Sequence, residues 1–132
     1  MIIGLGIDII DIQRIEKVIN RFGNRFTKRV FTDEENETAR KRLRFSETYA
    51  KRWAAKEACS KALGTGLRMG VAWKEMSISN LPTGKPVLSV SGSAAKRLDM
   101  ITPVDHRSNL NLSITDEYPY AKAIVIIEAI PE

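Results

Sequence analysis

The spacing of apolar residues changes along the chain, and that change limits the fold more than any other feature. Met1, Ile3, Leu5, Ile7 and Ile9 share one face of an alternating stretch, which predicts a strand over Met1–Ile10. Its other face carries Gly4, Gly6 and Asp8 between Ile2 and Ile10. Asp11 reads as an N-cap, and Ile12, Ile15, Val18, Ile19 and Phe22 follow at helical spacing until Gly23. A basic link, Arg25 to Arg29, leads to Thr32-Asp33-Glu34-Glu35, a capping-box pattern that opens a second helix. The clearest helix runs from about Glu47 to Leu63, with Ser46 as its cap and Gly64 at the left-handed position past its end. A glycine-rich loop follows through Gly70. Strands over Glu75–Leu81 and Pro86–Val90 then flank the turn Pro82-Thr83-Gly84-Lys85. Ser93 caps a short helix through Met100, Leu110–Thr115 alternates, and Asp116-Glu117-Tyr118-Pro119 turns into Ala121–Ala129, the most apolar strand. A strand, then helices, then antiparallel strands with one further helix is an α+β pattern, an antiparallel sheet packed with helices.

With 132 residues, 43% of them hydrophobic and 28% charged, the chain is long and apolar enough to bury one core. A single domain over residues 1–132 is expected. One cysteine excludes an intrachain disulfide framework and a thiolate zinc site; one histidine excludes a multi-histidine metal site and argues against a catalytic triad. Cys59 reads as a packed thiol, and His106, in Asp105-His106-Arg107-Ser108, as a surface-loop residue. No apolar run approaches the ~18–20 residues of a membrane span. The opening MIIGLGIDII lacks the basic flank of a signal peptide, and Ile2 stands where myristoylation needs glycine. The expectation is a soluble, cytoplasmic protein with no membrane partner.

The net charge of +5 is unevenly placed. Residues 12–61 hold 14 Lys/Arg against 7 Asp/Glu, while the rest of the chain holds 7 against 9. So basic a stretch attracts an anionic partner or is simply a solvated face; charge alone leaves both open. Nucleic acid is not expected, because Phe22, Phe26, Phe31, Phe45, Tyr49 and Trp53 fall at or near apolar helix positions rather than on a stacking face.

Two carboxylates stand out. Asp8 lies in an otherwise apolar strand, where it must be hydrogen-bonded, metal-bound or turned to water. Glu57 precedes Lys61 by one helical turn, the favourable order for an ion pair of ~0.2–0.5 kcal/mol. Taken together they propose something sharper. Magnesium prefers oxygen ligands and commonly takes one or two protein carboxylates, with water and phosphate oxygens completing the shell. Asp8 and Glu57 can form that set, with Lys61 near the same phosphates and the glycines at 64, 66 and 70 letting backbone approach a bulky ligand. The 64–70 loop is not a P-loop, since it lacks the Gly-Lys-Ser/Thr ending, and Gly4-Leu5-Gly6 lacks the third glycine of a dinucleotide fingerprint.

Gly6-Ile7-Asp8, followed at a distance by Trp53-Ala54-Ala55-Lys56-Glu57-Ala58-Cys59-Ser60-Lys61, resembles the two-part signature of phosphopantetheinyl transferases. The continuation Ala62-Leu63-Gly64-Thr65-Gly66 is similar to the short bacterial branch that acts on acyl carrier proteins; Thr83-Gly84-Lys85-Pro86 and Leu112-Ser113-Ile114-Thr115 match later landmarks. The resemblance implies Mg²⁺-dependent transfer of the 4′-phosphopantetheine arm of coenzyme A to a serine of an apo acyl carrier protein, a step of fatty acid biosynthesis, with adenosine 3′,5′-bisphosphate released. It implies Asp8 and Glu57 as metal ligands, with Glu57 as base for the serine proton, directly or through a water on the metal. Lys61 is implied at a coenzyme A phosphate, and Gly64, Gly66, Lys85 and Pro86 at the coenzyme A site. Arg14, Arg21 and Arg25 are implied as docking residues for the acidic carrier, and the assembly as a homotrimer with active sites between subunits.

Two positions depart from the family pattern. Where it often reads His-x-Ser-x-Thr/Ser-His, this chain has Asn111-Leu112-Ser113-Ile114-Thr115-Asp116. No imidazole role carries over, and Asp116 would bring negative charge toward phosphates if it pointed at the site. The alternative reading is therefore a non-catalytic module that binds carrier protein or coenzyme A on the same fold. The identity of the preferred carrier, tolerance of acyl-coenzyme A and turnover rate are not legible from the residues.

Overall fold

The most apolar stretch of the chain becomes the middle of its main sheet. In the computed structural model, which describes all of Met1–Glu132, strand β5 (Tyr120–Pro131) lies between β1 (Ile2–Asp11) and β4 (His106–Glu117), antiparallel to both. A separate antiparallel pair is formed by β2 (Met76–Asn80) and β3 (Pro86–Val90). The helices are α1 (Ile12–Phe22), α2 (Asn24–Val30), α3 (Asp33–Arg40), α4 (Phe45–Ala62) and α5 (Gly92–Ile101). The α+β architecture with an antiparallel sheet is the one the apolar spacing predicts.

Small residues set how closely the layers meet. Ala121, Ala123, Val125, Ile127 and Ala129 alternate on the buried face of β5. They face α4, whose Ala50, Ala54, Ala55, Ala58 and Ala62 are also buried. Gly4, Gly6, Asp8 and Ile10 of β1 share this inner face. A Cβ added to Gly6 would lie 1.8 Å from the Ala58 carbonyl oxygen, and one added to Gly4 2.3 Å from that of Ala62. The last two turns of α4 thus rest directly on the β1 backbone, alongside Asp8. The apolar side chains of Leu5, Ile7 and Ile9 point the other way and are 62%, 48% and 60% exposed.

Caps behave as short-range chemistry dictates at three sites. Asp11 accepts a hydrogen bond from the Gln13 amide at 2.9 Å, and Thr32 and Glu35 form the reciprocal capping box. Gly64 takes φ +80° beyond α4.

Other boundaries differ from expectation. Arg25–Arg29 is not a link but most of α2. Phe26 packs on Trp53 with centroids 5.7 Å apart and Val30 is buried, so one turn of apolar spacing suffices among the cations. Ser46 is not the cap of α4, which begins at Phe45 without a side-chain cap. Ser93 does not cap α5; its amide donates instead to Glu75 Oε2 at 2.7 Å, a cap supplied from 18 residues away. His106 opens β4 rather than lying in a loop, because β5 extends far enough for Pro131 to pair with it. Asp116 and Glu117 remain in β4, leaving Tyr118-Pro119 as the turn. Phe22 and Phe45 are 40% and 42% exposed, unlike the buried Phe31 and Tyr49.

Candidate active site

Asp8 sits in mid-β1 opposite Ala123, its side chain turned toward α4 and only 16% exposed. Lys61, in the last turn of α4, reaches across to it: Nζ lies 3.2 Å from Asp8 Oδ1 and donates to the Ile7 carbonyl at 3.0 Å. Lys61 therefore pairs with the strand, not with Glu57 on its own helix. Burial pushes the Asp8 carboxyl above its ordinary range, and the Lys61 hydrogen bond with the Lys61 and Arg14 charges pulls the other way. Glu57 is also raised, first by burial and then by the Asp8 charge, against the pull of Lys61 and Arg14. The two carboxylates are thus electrostatic neighbours across the β1–α4 contact.

No third histidine, cysteine or acidic side chain completes a protein-only metal cluster. Two carboxylates are the donor set that suits a hard cation such as Mg²⁺, which keeps water and phosphate oxygens in the rest of its shell. The two crowded, partly desolvated carboxylates gain from a dipositive neighbour for the same reason that their ionisation is resisted.

The glycine loop begins where α4 ends. Gly64 and Gly66 have φ +80° and +58°, and the Gly66 amide donates back to the Ser60 carbonyl at 3.0 Å. Arg97 of α5 donates from Nε to the Leu63 carbonyl at 2.9 Å, placing a cation at the negative end of α4. Sequence reasoning missed Arg97, whose partner is 34 residues away. It also missed Arg52. That side chain is buried, Nη2 donates to Asn80 Oδ1 at 3.0 Å, and Nε has no partner. With Arg42 and Lys51 it lines a cavity of about 380 Å³. The one available signal was an arginine set between Ala50 and Ala54, both core positions.

Lys85 and Pro86 are not brought to Asp8. They line a cavity of about 400 Å³ with Asn109 and Asn111, beyond β4, whereas Asp8 is on β1 at the opposite edge of the sheet. Two strand spacings, about 10 Å of sheet, stand between those edges. Asn111 donates to Glu128 Oε1 at 2.8 Å and to the Ile126 carbonyl at 3.2 Å. Asp116 points to Lys51 Nζ, 3.0 Å away, and a hydrogen bond from Glu47 holds its carboxyl low while raising that of Glu47. Its charge is spent at the start of α4.

The Arg14 charge lowers the pKa of both Asp8 and Glu57, more weakly than Lys61 does. Arg21 and Arg25 lie over the ring of Phe22, at 5.1 and 5.8 Å from its centroid. An apolar side chain flanked by cations matches an acidic surface with an apolar spot. Cys59 is buried among these helices, and burial pushes its thiol up to about 12, which leaves it inert.

Comparison with known proteins adds independent findings. Residues 4–121 match the family model of the 4′-phosphopantetheinyl transferase superfamily. A holo-acyl-carrier-protein synthase of Ruegeria sp. (strain TM1040) is 58% identical over 131 residues, covering 99% of this chain and 92% of the relative. The crystal structure of a holo-acyl-carrier-protein synthase from Neisseria meningitidis superposes with a TM-score of 0.85 at 33% identity, over 97% of this chain and 99% of that one. One from Helicobacter pylori, in complex with coenzyme A, gives 0.79 at 31% identity, over 94% and 99%.

Proposed function

The chain belongs to the 4′-phosphopantetheinyl transferase superfamily and is an enzyme of that class, and from that premise we propose that it moves the 4′-phosphopantetheine arm of coenzyme A onto a serine of an apo acyl carrier protein. Mg²⁺ is required and adenosine 3′,5′-bisphosphate is released. Residues 1–132 act as one transferase domain. The observation that carries this reading is the Lys61–Asp8 pair across the β1–α4 contact that only glycine at positions 4 and 6 permits, with Glu57 on the same helix close enough to feel the Asp8 charge.

The serine oxygen forms a bond to the β-phosphorus, and the bond from that phosphorus to the bridging oxygen breaks. The nucleotide leaves with the electron pair, and the serine proton passes to Glu57. Glu57, half-buried on α4 within reach of the Asp8 charge, is placed to receive it. When bound, the cation neutralises charge on the phosphate oxygens. Asp8 and Glu57 would hold it, Lys61 would contact a phosphate, and Gly64 and Gly66 would let the backbone lie against the diphosphate. The cavity lined by Arg42, Lys51 and Arg52 is strongly basic and is suited to a further phosphate group. Arg14, Arg21 and Arg25 receive the acidic carrier, which the charge pattern steers toward α1.

Lys85 and Pro86 join the site from a second copy. The outer sheet face, with Leu5, Ile7 and Ile9 exposed, supplies an apolar surface for that contact, and the proposed assembly is a homotrimer with sites between subunits. No helix is long and apolar enough to cross a membrane. The proposed role is a cytoplasmic one in fatty acid biosynthesis.

Mass spectrometry of an apo acyl carrier protein incubated with this protein, coenzyme A and Mg²⁺ tests the reading. The expected result is gain of the phosphopantetheine arm, lost in Asp8→Ala and in Glu57→Ala. Carrier binding without any gain, across several carriers, would leave only a binding module.

A further inference from the structure

Lys61 does more in this structure than wait for a phosphate. Its ammonium occupies Asp8 Oδ1 at 3.2 Å and uses a second proton on the Ile7 carbonyl at 3.0 Å. It forms no pair with Glu57, although Glu57 is one turn away on the same helix. A cation seated on Asp8 at the ~2.1 Å of a magnesium–oxygen bond would lie against that ammonium. The two positive charges exclude each other from one carboxylate oxygen. The Lys61 side chain is 51% exposed on a flexible four-carbon stem, so it can leave Asp8 without disturbing the core. It needs another anion to leave for, and a diphosphate at the glycine loop beginning at Gly64 provides one.

We propose that the Lys61 ammonium is a place-holder for the divalent cation at Asp8, and that a diphosphate ligand draws it away, so that cation and diphosphate strengthen each other's binding. The inference rests on the carboxylate pair being the metal site. Linkage makes the effect reciprocal: whatever factor coenzyme A adds to metal affinity, the metal adds to coenzyme A affinity. Lys61 thereby keeps the cation site closed until the substrate has arrived. Arg14 also bears on both carboxylates, but it touches neither, so it contributes general field and not exclusion.

The probe is Mn²⁺, read by the loss of its free aqueous EPR signal on titration into the full-length protein. A protein-free blank corrects for Mn²⁺ held by coenzyme A alone. Wild-type protein should bind Mn²⁺ about tenfold more tightly with saturating coenzyme A than without it. Lys61→Met, checked for native circular dichroism, should bind Mn²⁺ without coenzyme A about tenfold more tightly than wild type, and coenzyme A should add less. Lys61→Arg, which can still sit on Asp8, should behave as wild type. Arg14→Met should raise the affinity by a smaller factor than Lys61→Met. If Lys61→Met binds Mn²⁺ no better than wild type, or no better than Arg14→Met, Lys61 is not a place-holder. If Mn²⁺ fails to bind in every condition, or Asp8→Asn leaves binding unchanged, the metal reading itself fails and takes this inference with it.

Discussion

Asp8 and Glu57 are costly residues where they stand. Burial raises both, and Asp8 raises Glu57 further, so the folded chain holds protons on them more tightly than the unfolded chain does. Between the ordinary values of 3.8 and 4.5 and the raised ones, the folded state therefore binds more protons. Stability contributed by these groups rises as pH falls through that window and is lost as pH rises past it. Replacing Glu57 with Gln, or Asp8 with Asn, should then raise the melting temperature near neutral pH by about 1–3 °C and flatten its pH dependence. Transfer activity should fall at least about a hundredfold. Scanning calorimetry from pH 4 to 8 beside a transfer assay reads both. A drop in melting temperature with either substitution would mean that the carboxylates stabilise the fold and are not strained for function.

Two contacts between elements hold the site in register. Gly6 lets β1 meet α4, and a methyl group there would have to push back the Ala58 carbonyl from 1.8 Å. Gly6→Ala should cost about 3 kcal/mol or more, as overpacking in a rigid layer does. A urea titration measures the loss, and transfer activity in the surviving folded fraction should fall as Asp8 and Glu57 separate. Lys56, next to Glu57, is fully buried: it pairs with Glu35 at 2.7 Å and donates to the carbonyls of Trp73 and Met76. Glu35 also accepts from the Ile78 amide at 2.9 Å, so α3, α4 and β2 meet on one ion pair. Lys56→Met should destabilise by about 3–5 kcal/mol, because it strands a buried carboxylate. Adding Glu35→Gln should recover part of that in the same titration, since the amide carries no charge to bury.

At the scale of the whole molecule, the exposed apolar face of the sheet and the far-edge position of Lys85 are the two features behind the proposed assembly. Leu5 is 62% exposed on β1 with Ile7 and Ile9 beside it, and their backbones are paired, so a charge there leaves the sheet intact. Leu5→Glu should shift the protein from oligomer to single copies in analytical ultracentrifugation. If the proposed assembly forms, the substitution should lower transfer activity by about tenfold or more, because a buried unpaired charge is expensive at an interface and the second copy's Lys85 and Pro86 would leave with it. A wild-type protein that sediments as a single copy would remove the assembly from the reading.

Much was legible in the chain. Alternation at Met1–Ile10 and at Leu110–Thr115, the caps at Asp11 and Thr32, and the glycine after α4 all reflect physics that acts over a few neighbouring residues. The resemblance carried by Gly6-Ile7-Asp8 and Trp53–Lys61 nominated both carboxylates. What the residues could not reveal were choices between partners far apart in sequence. Lys61 had Glu57 one turn away and took Asp8, 53 residues back. Ser93 had its own hydroxyl, and α5 took the carboxylate of Glu75. The apolar side of β1 could have been the core, and packing turned the glycine side inward. Each outcome turns on how closely two layers approach, which depends on the summed shapes of α4, β1 and β5, whereas local pattern records only what each segment can do alone.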